Sequence, residues 1–97
     1  MHRHRFPVTV YYEDTDMGGI VYHANYLKYI ERGRSAWVRE MGVDQNALRA
    51  RGLVFAVRRI AAEYRAPARL DDRLAVETAL LKSGGARFVM SQTVRDE

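Results

Sequence analysis

The chain has 97 residues, 47% of them apolar, a formal net charge of +4 and no cysteine. That length predicts one domain with one core, and the lack of cysteine excludes disulfide staples and zinc–thiolate sites. No apolar run nears the ~18 residues a membrane-crossing helix needs, and no apolar stretch follows the basic start, Met1 to Arg5, so a signal peptide is not expected.

Arginine carries nearly all the positive charge; Lys28 and Lys82 are the only lysines. Arginine suits bidentate contact with phosphate. Nucleic acid, an acidic membrane surface and a phosphorylated cofactor are therefore admissible partners. The arginines are scattered, however, as on ordinary solvated faces. No aromatic RNA-binding motif and no recognition helix accompanies them, so nucleic acid is not expected as a partner.

The first predicted element is a strand over Val8 to Tyr12, "VTVYY", which is β-branched and aromatic. Pro7 fits its first position. A turn rich in acids and glycines follows. From Asn25 to Glu40 the apolar residues recur at steps of three and four: Tyr26, Leu27, Ile30, Trp37, Val38, then Met41. That spacing predicts an amphipathic helix of about four turns. Gly33 inside it costs about 1 kcal/mol against Ala, which a close approach to a sheet would explain. Gly42 suits the position just past the helix end. Asp44 to Arg51 predicts a short second helix closed by Gly52.

Three strand patterns come next: Leu53 to Ala66, Arg73 to Lys82 and Ala86 to Glu97. Ser83 to Gly85 predicts a hairpin turn, and Ala66 to Asp72 a wider connection. The layout is β-α-β-β-β. A helix with one apolar side and strands with one apolar face must cover each other. The fold class is α+β, with the helix on an antiparallel sheet. The chain stops at Arg95-Asp96-Glu97 without a turn or cap, so a missing continuation is expected.

The turn "YYEDTDMGGIVYHANY", Tyr11 to Tyr26, is the candidate site. Asp14, Asp16 and Gly19 imitate the start of a calcium loop, but position twelve is Asn25 instead of a bidentate Glu. Asp14, Asp16 and His23, with His2 and His4, have no spacing that fixes a transition metal, and no metal is expected. Gly18-Gly19 and Gly84-Gly85 lack the Lys-Ser/Thr of a phosphate loop. Ser35, Ser83 and Ser91 lie in no nucleophile elbow.

What remains is Asp16 before a helix. Gly18 and Gly19 allow a tight bend and close approach of a ligand. The first helical N–H groups, from about His23 to Tyr26, lack partners within the helix. They carry about half a positive charge and can hold an anion or oxyanion. A carboxylate beside an oxyanion pocket can transfer an acyl group to water. The plainer alternative is that Asp16 or Asn25 only caps the helix.

"TDMGGIVYHANY", Thr15 to Tyr26, closely resembles the signature of the 4-hydroxybenzoyl-CoA thioesterase family, acyl-CoA thioesterases of hotdog fold. Thr15, Asp16, Gly19, Ile20, Val21, His23 and Tyr26 match, as does Val10; Thr9 departs from the Gln or Arg expected there. Ala24 to Arg39 continues like the bacterial Tol–Pal-associated branch. The resemblance implies a curved antiparallel sheet wrapped around the long helix. It implies hydrolysis of acyl-CoA thioesters, with Asp16 as the catalytic carboxylate and the His23 N–H polarising the carbonyl. Tyr12 and the His23 side chain are further catalytic candidates. Tyr12 also reads as a core aromatic, by strand parity with Val8 and Val10. Gly19 and Asn25 are expected beside the substrate. Coenzyme A enters as part of the substrate, so no separate cofactor is expected. Its phosphates would meet arginines such as Arg58, Arg59 or Arg65. Arg58 and Arg59 are adjacent on a predicted strand and would face opposite sides.

The resemblance also implies a homodimer or homotetramer, and the lack of cysteine fits a reducing compartment, so a cytoplasmic location is expected. Its members have one more strand after the position where this chain ends, between strands four and two. Residues 1–97 are thus expected to be a single hotdog domain lacking its last strand. The competing reading is a non-catalytic module that binds acyl-CoA or acyl carrier protein.

Overall fold

The computed structural model describes residues 3–84 and 87–97. In chain order it contains β1 (Arg3–Thr9), a 3-10 turn (Tyr12–Asp14), α1 (Asn25–Glu40), α2 (Gln45–Ala50), β2 (Arg73–Gly84) and β3 (Arg87–Asp96). The strands form one antiparallel sheet in the order β1-β2-β3. The class is α+β, with the long helix on the sheet, as expected.

The first strand lies earlier than Val8 to Tyr12. It pairs from Arg3 opposite Ala79 to Thr9 opposite Arg73. Pro7 is inside it, where an edge strand tolerates a missing donor. Beyond Thr9 the chain turns away. Val10 instead donates to the Asp72 carbonyl at 2.9 Å and accepts from Asp71 N–H at 3.0 Å. Tyr12 opens the 3-10 turn and is 82% exposed, so it is no core aromatic.

The helix covers the expected span, but its buried stripe is rotated from the expected one. Tyr29, Gly33, Trp37 and Val38 are buried, while Leu27 and Met41 are exposed. Tyr29 joins Val8, Val10, Val21, Ala68, Leu74 and Val76 in the main core. Gly33 sits where helix and sheet touch. A Cβ there would lie 2.8 Å from Val76 Cγ1 and 3.1 Å from its Cβ. The Gln92 side chain fastens β3 to the helix. It donates to the Ile30 carbonyl at 2.7 Å and to the buried Thr78 hydroxyl at 2.9 Å.

Past the helix end Gly42 has φ +84°. Its N–H reaches the Arg39 carbonyl and Val43 N–H the Val38 carbonyl, the paired bonds of a Schellman stop. The second helix begins at Asp44, whose carboxylate accepts from Asn46 and Ala47 N–H at 2.9 and 3.1 Å.

The predicted strand over Leu53 to Ala66 is absent among the described residues. This segment is irregular and exposed, and residues 54–67 form no main-chain hydrogen bond there. The Phe55 ring packs edge-on against Phe88 of β3 at 5.8 Å, but the segment pairs with no described strand, and a strand exists only by pairing. The layout is therefore β-α-α-β-β. Arg58 and Arg59 are exposed in this segment and share no strand. The β2–β3 hairpin forms as expected, with Ser83 opposite Phe88 and Gly84 opposite Arg87 extending the strands; Gly85, the last residue of the predicted turn, lies outside the described residues.

Candidate active site

The turn before α1 is a small, closely bonded hairpin. Tyr22 N–H donates to the Asp14 carbonyl at 2.9 Å, Thr15 bridges Val21, and Asp16 N–H donates to the Ile20 carbonyl at 3.0 Å. The tip is Asp16 to Gly19. Gly19 has φ +76°, a conformation that suits glycine, and its N–H returns to the Asp16 carbonyl at 3.0 Å. Gly18 N–H donates to Asp16 Oδ1 at 2.8 Å. A Cβ on Gly18 would lie 3.1 Å from that same oxygen. The two glycines thus serve the bend and leave room for the carboxylate.

Asp16 is exposed, with Oδ1 held and Oδ2 unpaired among the described residues. The hairpin is itself anchored. Val21 N–H donates to the Ala68 carbonyl at 2.8 Å, and Ile20 bridges Arg69.

The helix start differs from expectation. Asn25 N–H reaches the Tyr22 carbonyl at 2.8 Å and Tyr26 N–H the His23 carbonyl at 3.3 Å. Tightened bonds of this kind satisfy the first turn of a helix. The donors left without partners among the described residues are those of His23 and Ala24. Ala24 already has helical dihedrals, φ −68° and ψ −21°. The free donors lie at the helix start, where the dipole is positive.

Asn25 does not face open solvent. Its side-chain Nδ2 donates to the Asp14 carbonyl at 2.9 Å. Aromatic rings surround the helix start. The His23 ring lies 4.6 Å from Tyr22 and 6.0 Å, edge-on, from Tyr64. The Tyr64 hydroxyl donates to the His23 carbonyl at 3.3 Å. The Tyr26 hydroxyl accepts from Ala68 N–H at 3.1 Å.

Among the arginines, Arg65 is next to Tyr64 and pairs with Glu63 at 2.9 Å. Arg58 and Arg59 make no hydrogen bond or ion pair among the described residues. No group of three or more His, Asp or Glu side chains is gathered to hold a metal ion among the described residues; His2 lies outside them. A surface cleft of about 380 Å³ between the end of α1 and α2, lined in part by Ser35, Arg39 and Asp44, includes none of the candidate residues.

The sequence offers Asp14 only as a metal ligand, and gives no role to Tyr29 or Tyr64. Asp14 is buried, and its carboxylate accepts from Tyr11 N–H at 2.9 Å. Tyr29 is 1% exposed, and its hydroxyl has no aligned hydrogen-bond partner. Burial first, and then the neighbouring Asp14 carboxylate, push the Tyr29 phenol well above its ordinary value of 10.0. A phenol whose folded pKa is raised contributes stability that is intact below pH ~10 and is lost as pH rises further. The unfolded chain ionises there first, and the loss approaches about 1.4 kcal/mol per pH unit. Urea unfolding between pH 8 and 11.5 should therefore show a steeper alkaline decline in the wild type than in Tyr29→Phe. Parallel declines would contradict the burial argument.

A long helix on an antiparallel sheet, with a carboxylate hairpin leading into the helix start, is the hotdog architecture of acyl thioesterases. Residues 10–97 match the thioesterase-like superfamily, and the chain belongs to that superfamily. An acyl-CoA thioester hydrolase, YbgC, from Escherichia coli is 47% identical over 90 residues, covering 93% of this chain and 67% of the relative. The acyl-CoA thioesterase YbgC of Helicobacter pylori is 49% identical over 87 residues, covering 88% and 62%. A crystal structure of a probable thioesterase from Bartonella henselae superposes with a TM-score of 0.91 at 37% identity, covering 98% of this chain and 80% of that one. The chain thus spans about two thirds of the length of these curated relatives.

Proposed function

We propose that this chain hydrolyses acyl-CoA thioesters to the free acid and coenzyme A. The observation that carries the reading is the union, in one bonded hairpin, of an exposed Asp16 carboxylate with unpaired N–H groups at a helix start. Relatives named as acyl-CoA thioester hydrolases at 47% identity support it. Asp16 Oδ2 either attacks the thioester carbonyl or takes a proton from the attacking water. The developing oxyanion sits against the His23 N–H. The thiolate of coenzyme A then departs and recovers a proton; if Asp16 was the nucleophile, water hydrolyses the resulting mixed anhydride, releasing the acid and restoring the Asp16 carboxylate, whereas if Asp16 was the base the added water already makes the acid. Thiolate is a good leaving group, so one carboxylate and one oxyanion site suffice.

The His23 ring and Tyr12 are both exposed around the same hairpin and are proposed to face the acyl group. Gly19 shapes the loop tip. Arg65, next to the Tyr64 that reaches the His23 carbonyl, is proposed ahead of Arg58 and Arg59 to meet the coenzyme A phosphates. The run from Ala24 to Arg39 supports placement within the 4-hydroxybenzoyl-CoA thioesterase family, in its Tol–Pal-associated branch. Among the described residues no helix is long and apolar enough to cross a membrane. A cytoplasmic homo-oligomer is the form we propose.

The test is release of free thiol from short aliphatic, long aliphatic and aromatic acyl-CoA substrates. The chain has no cysteine and adds no thiol background. Product above the uncatalysed rate is expected. Saturable binding without product would replace the hydrolase with a binding module.

A further inference from the structure

We infer that Asn25 is a positioning residue, which locks the helix start to the hairpin bearing Asp16, and is not a substrate ligand. The inference rests on the catalytic reading of Asp16 and His23 given above. One carbonyl, that of Asp14, accepts two hydrogen bonds. The Tyr22 N–H reaches it from across the hairpin at 2.9 Å, and Asn25 Nδ2 reaches it from the first helical residue, also at 2.9 Å. Asn25 is held a second time through its main chain, since its N–H donates to the Tyr22 carbonyl at 2.8 Å.

His23 and Ala24 therefore form a two-residue span pinned at both ends. Tyr22 is fixed to Asp14 on one side. Asn25 is fixed to Tyr22 and to Asp14 on the other. The two unpaired N–H groups lie within that span, and Asp16 lies two residues beyond the shared carbonyl. The Asn25 side chain joins helix and hairpin directly, over a sequence separation of eleven residues. Asp14 is buried, and its own carboxylate accepts from Tyr11 N–H, so the anchor is held as well.

Removing the Asn25 amide leaves the Asp14–Tyr22 bond and the hairpin in place. It frees the helix start to shift against Asp16. A displacement of about 1 Å between reacting groups can cost on the order of 100-fold in rate. Alanine is a good helix former, so Asn25→Ala should keep the helix.

The experiment measures kcat, KM and Tm for the wild type, Asn25→Ala, Asp16→Asn and the double variant, with one acyl-CoA substrate that the wild type turns over. The expected result is a fall in kcat of roughly 10- to 100-fold in Asn25→Ala, with KM nearly unchanged. In the Asp16→Asn background, Asn25→Ala should lower the residual rate hardly at all, because there is no longer a carboxylate to align. Its effect on Tm should be the same in both backgrounds. If Asn25→Ala does not fold, Asn25→Ser, which keeps a short donor, is expected to give an intermediate kcat. A raised KM with full kcat would make Asn25 a substrate ligand and overturn the inference. So would equal losses in the two backgrounds, or full kcat in a folded variant. If Asp16→Asn itself retained wild-type turnover, the catalytic reading would fall first.

Discussion

Gly33→Ala is expected to destabilise the protein, although alanine is the better helix former. The substitution gains about 1 kcal/mol of intrinsic helix propensity. Against this, the new methyl would sit 2.8 Å from Val76 Cγ1, 3.1 Å from Val76 Cβ and 3.7 Å from Phe6 Cβ. Val76 is 0% exposed, on the central strand of the sheet, and β-branched. It has little freedom to swing aside. Overpacking of this kind costs about 1–3 kcal/mol, and α1 must lift from the sheet to relieve it. The net loss should be up to about 2 kcal/mol, or a fall in Tm of up to roughly 15 °C for a domain of this size. Gly33→Leu should abolish the cooperative transition. A thermal melt of Gly33→Ala clearly above the wild-type Tm would show that helix and sheet do not meet as described.

That glycine illustrates what can be read from the chain itself. A costly residue inside a strong helical pattern signals a close approach before any coordinates exist. The span of α1, the stop at Gly42, the capping by Asp44 and the β2–β3 hairpin follow from local chemistry and are legible in the same way. The helix rotation is not. Tyr29 and Leu27 both lie near the apolar stripe, and which one is buried depends on how Gly33 seats the helix on Val76. The segment from Leu53 to Ala66 shows the other limit. Its β-branched and aromatic residues express strand propensity, but propensity describes fit to a pleated surface. The hydrogen bonds of a strand must come from a paired strand, and residues 54–66 make no such main-chain bond among the described ones.

The site was partly legible. Asp16, the glycine bend and the helix start are adjacent in sequence, so they were found together. Asp14 reads in the sequence as a possible metal ligand and not as a buried anchor, because a carboxylate in an acidic turn looks solvated and its bonds with Tyr11, Tyr22 and Asn25 form only when the hairpin folds. Tyr64 was hidden by distance, reaching His23 from 41 residues along the chain. The helix start has fewer free donors than its sequence position implies. Tight first-turn bonds occupy those of Asn25 and Tyr26, and leave His23 and Ala24.

The largest expected effect on activity is that of Asp16→Asn. The substitution preserves shape, and the Asn Oδ1 can still accept from Gly18 N–H, so the hairpin should survive and Tm should change little. What is lost is the basic, negatively charged oxygen opposite the oxyanion donors. Removing a positioned general base costs typically 100- to 10,000-fold, and a neutral amide is also a poor nucleophile toward a carbonyl. Affinity should be nearly untouched, because Asp16 acts on the reacting centre while most binding contacts are made elsewhere on a molecule as large as an acyl-CoA.

The most direct measurement follows binding and turnover of one acyl-CoA substrate side by side in wild type and Asp16→Asn, at equal folded protein. The prediction is thiol release lowered at least ~100-fold in the variant, with a dissociation constant within a few-fold of wild-type KM. Thiol release at the wild-type rate from folded Asp16→Asn would contradict the assignment of this hairpin as the catalytic centre.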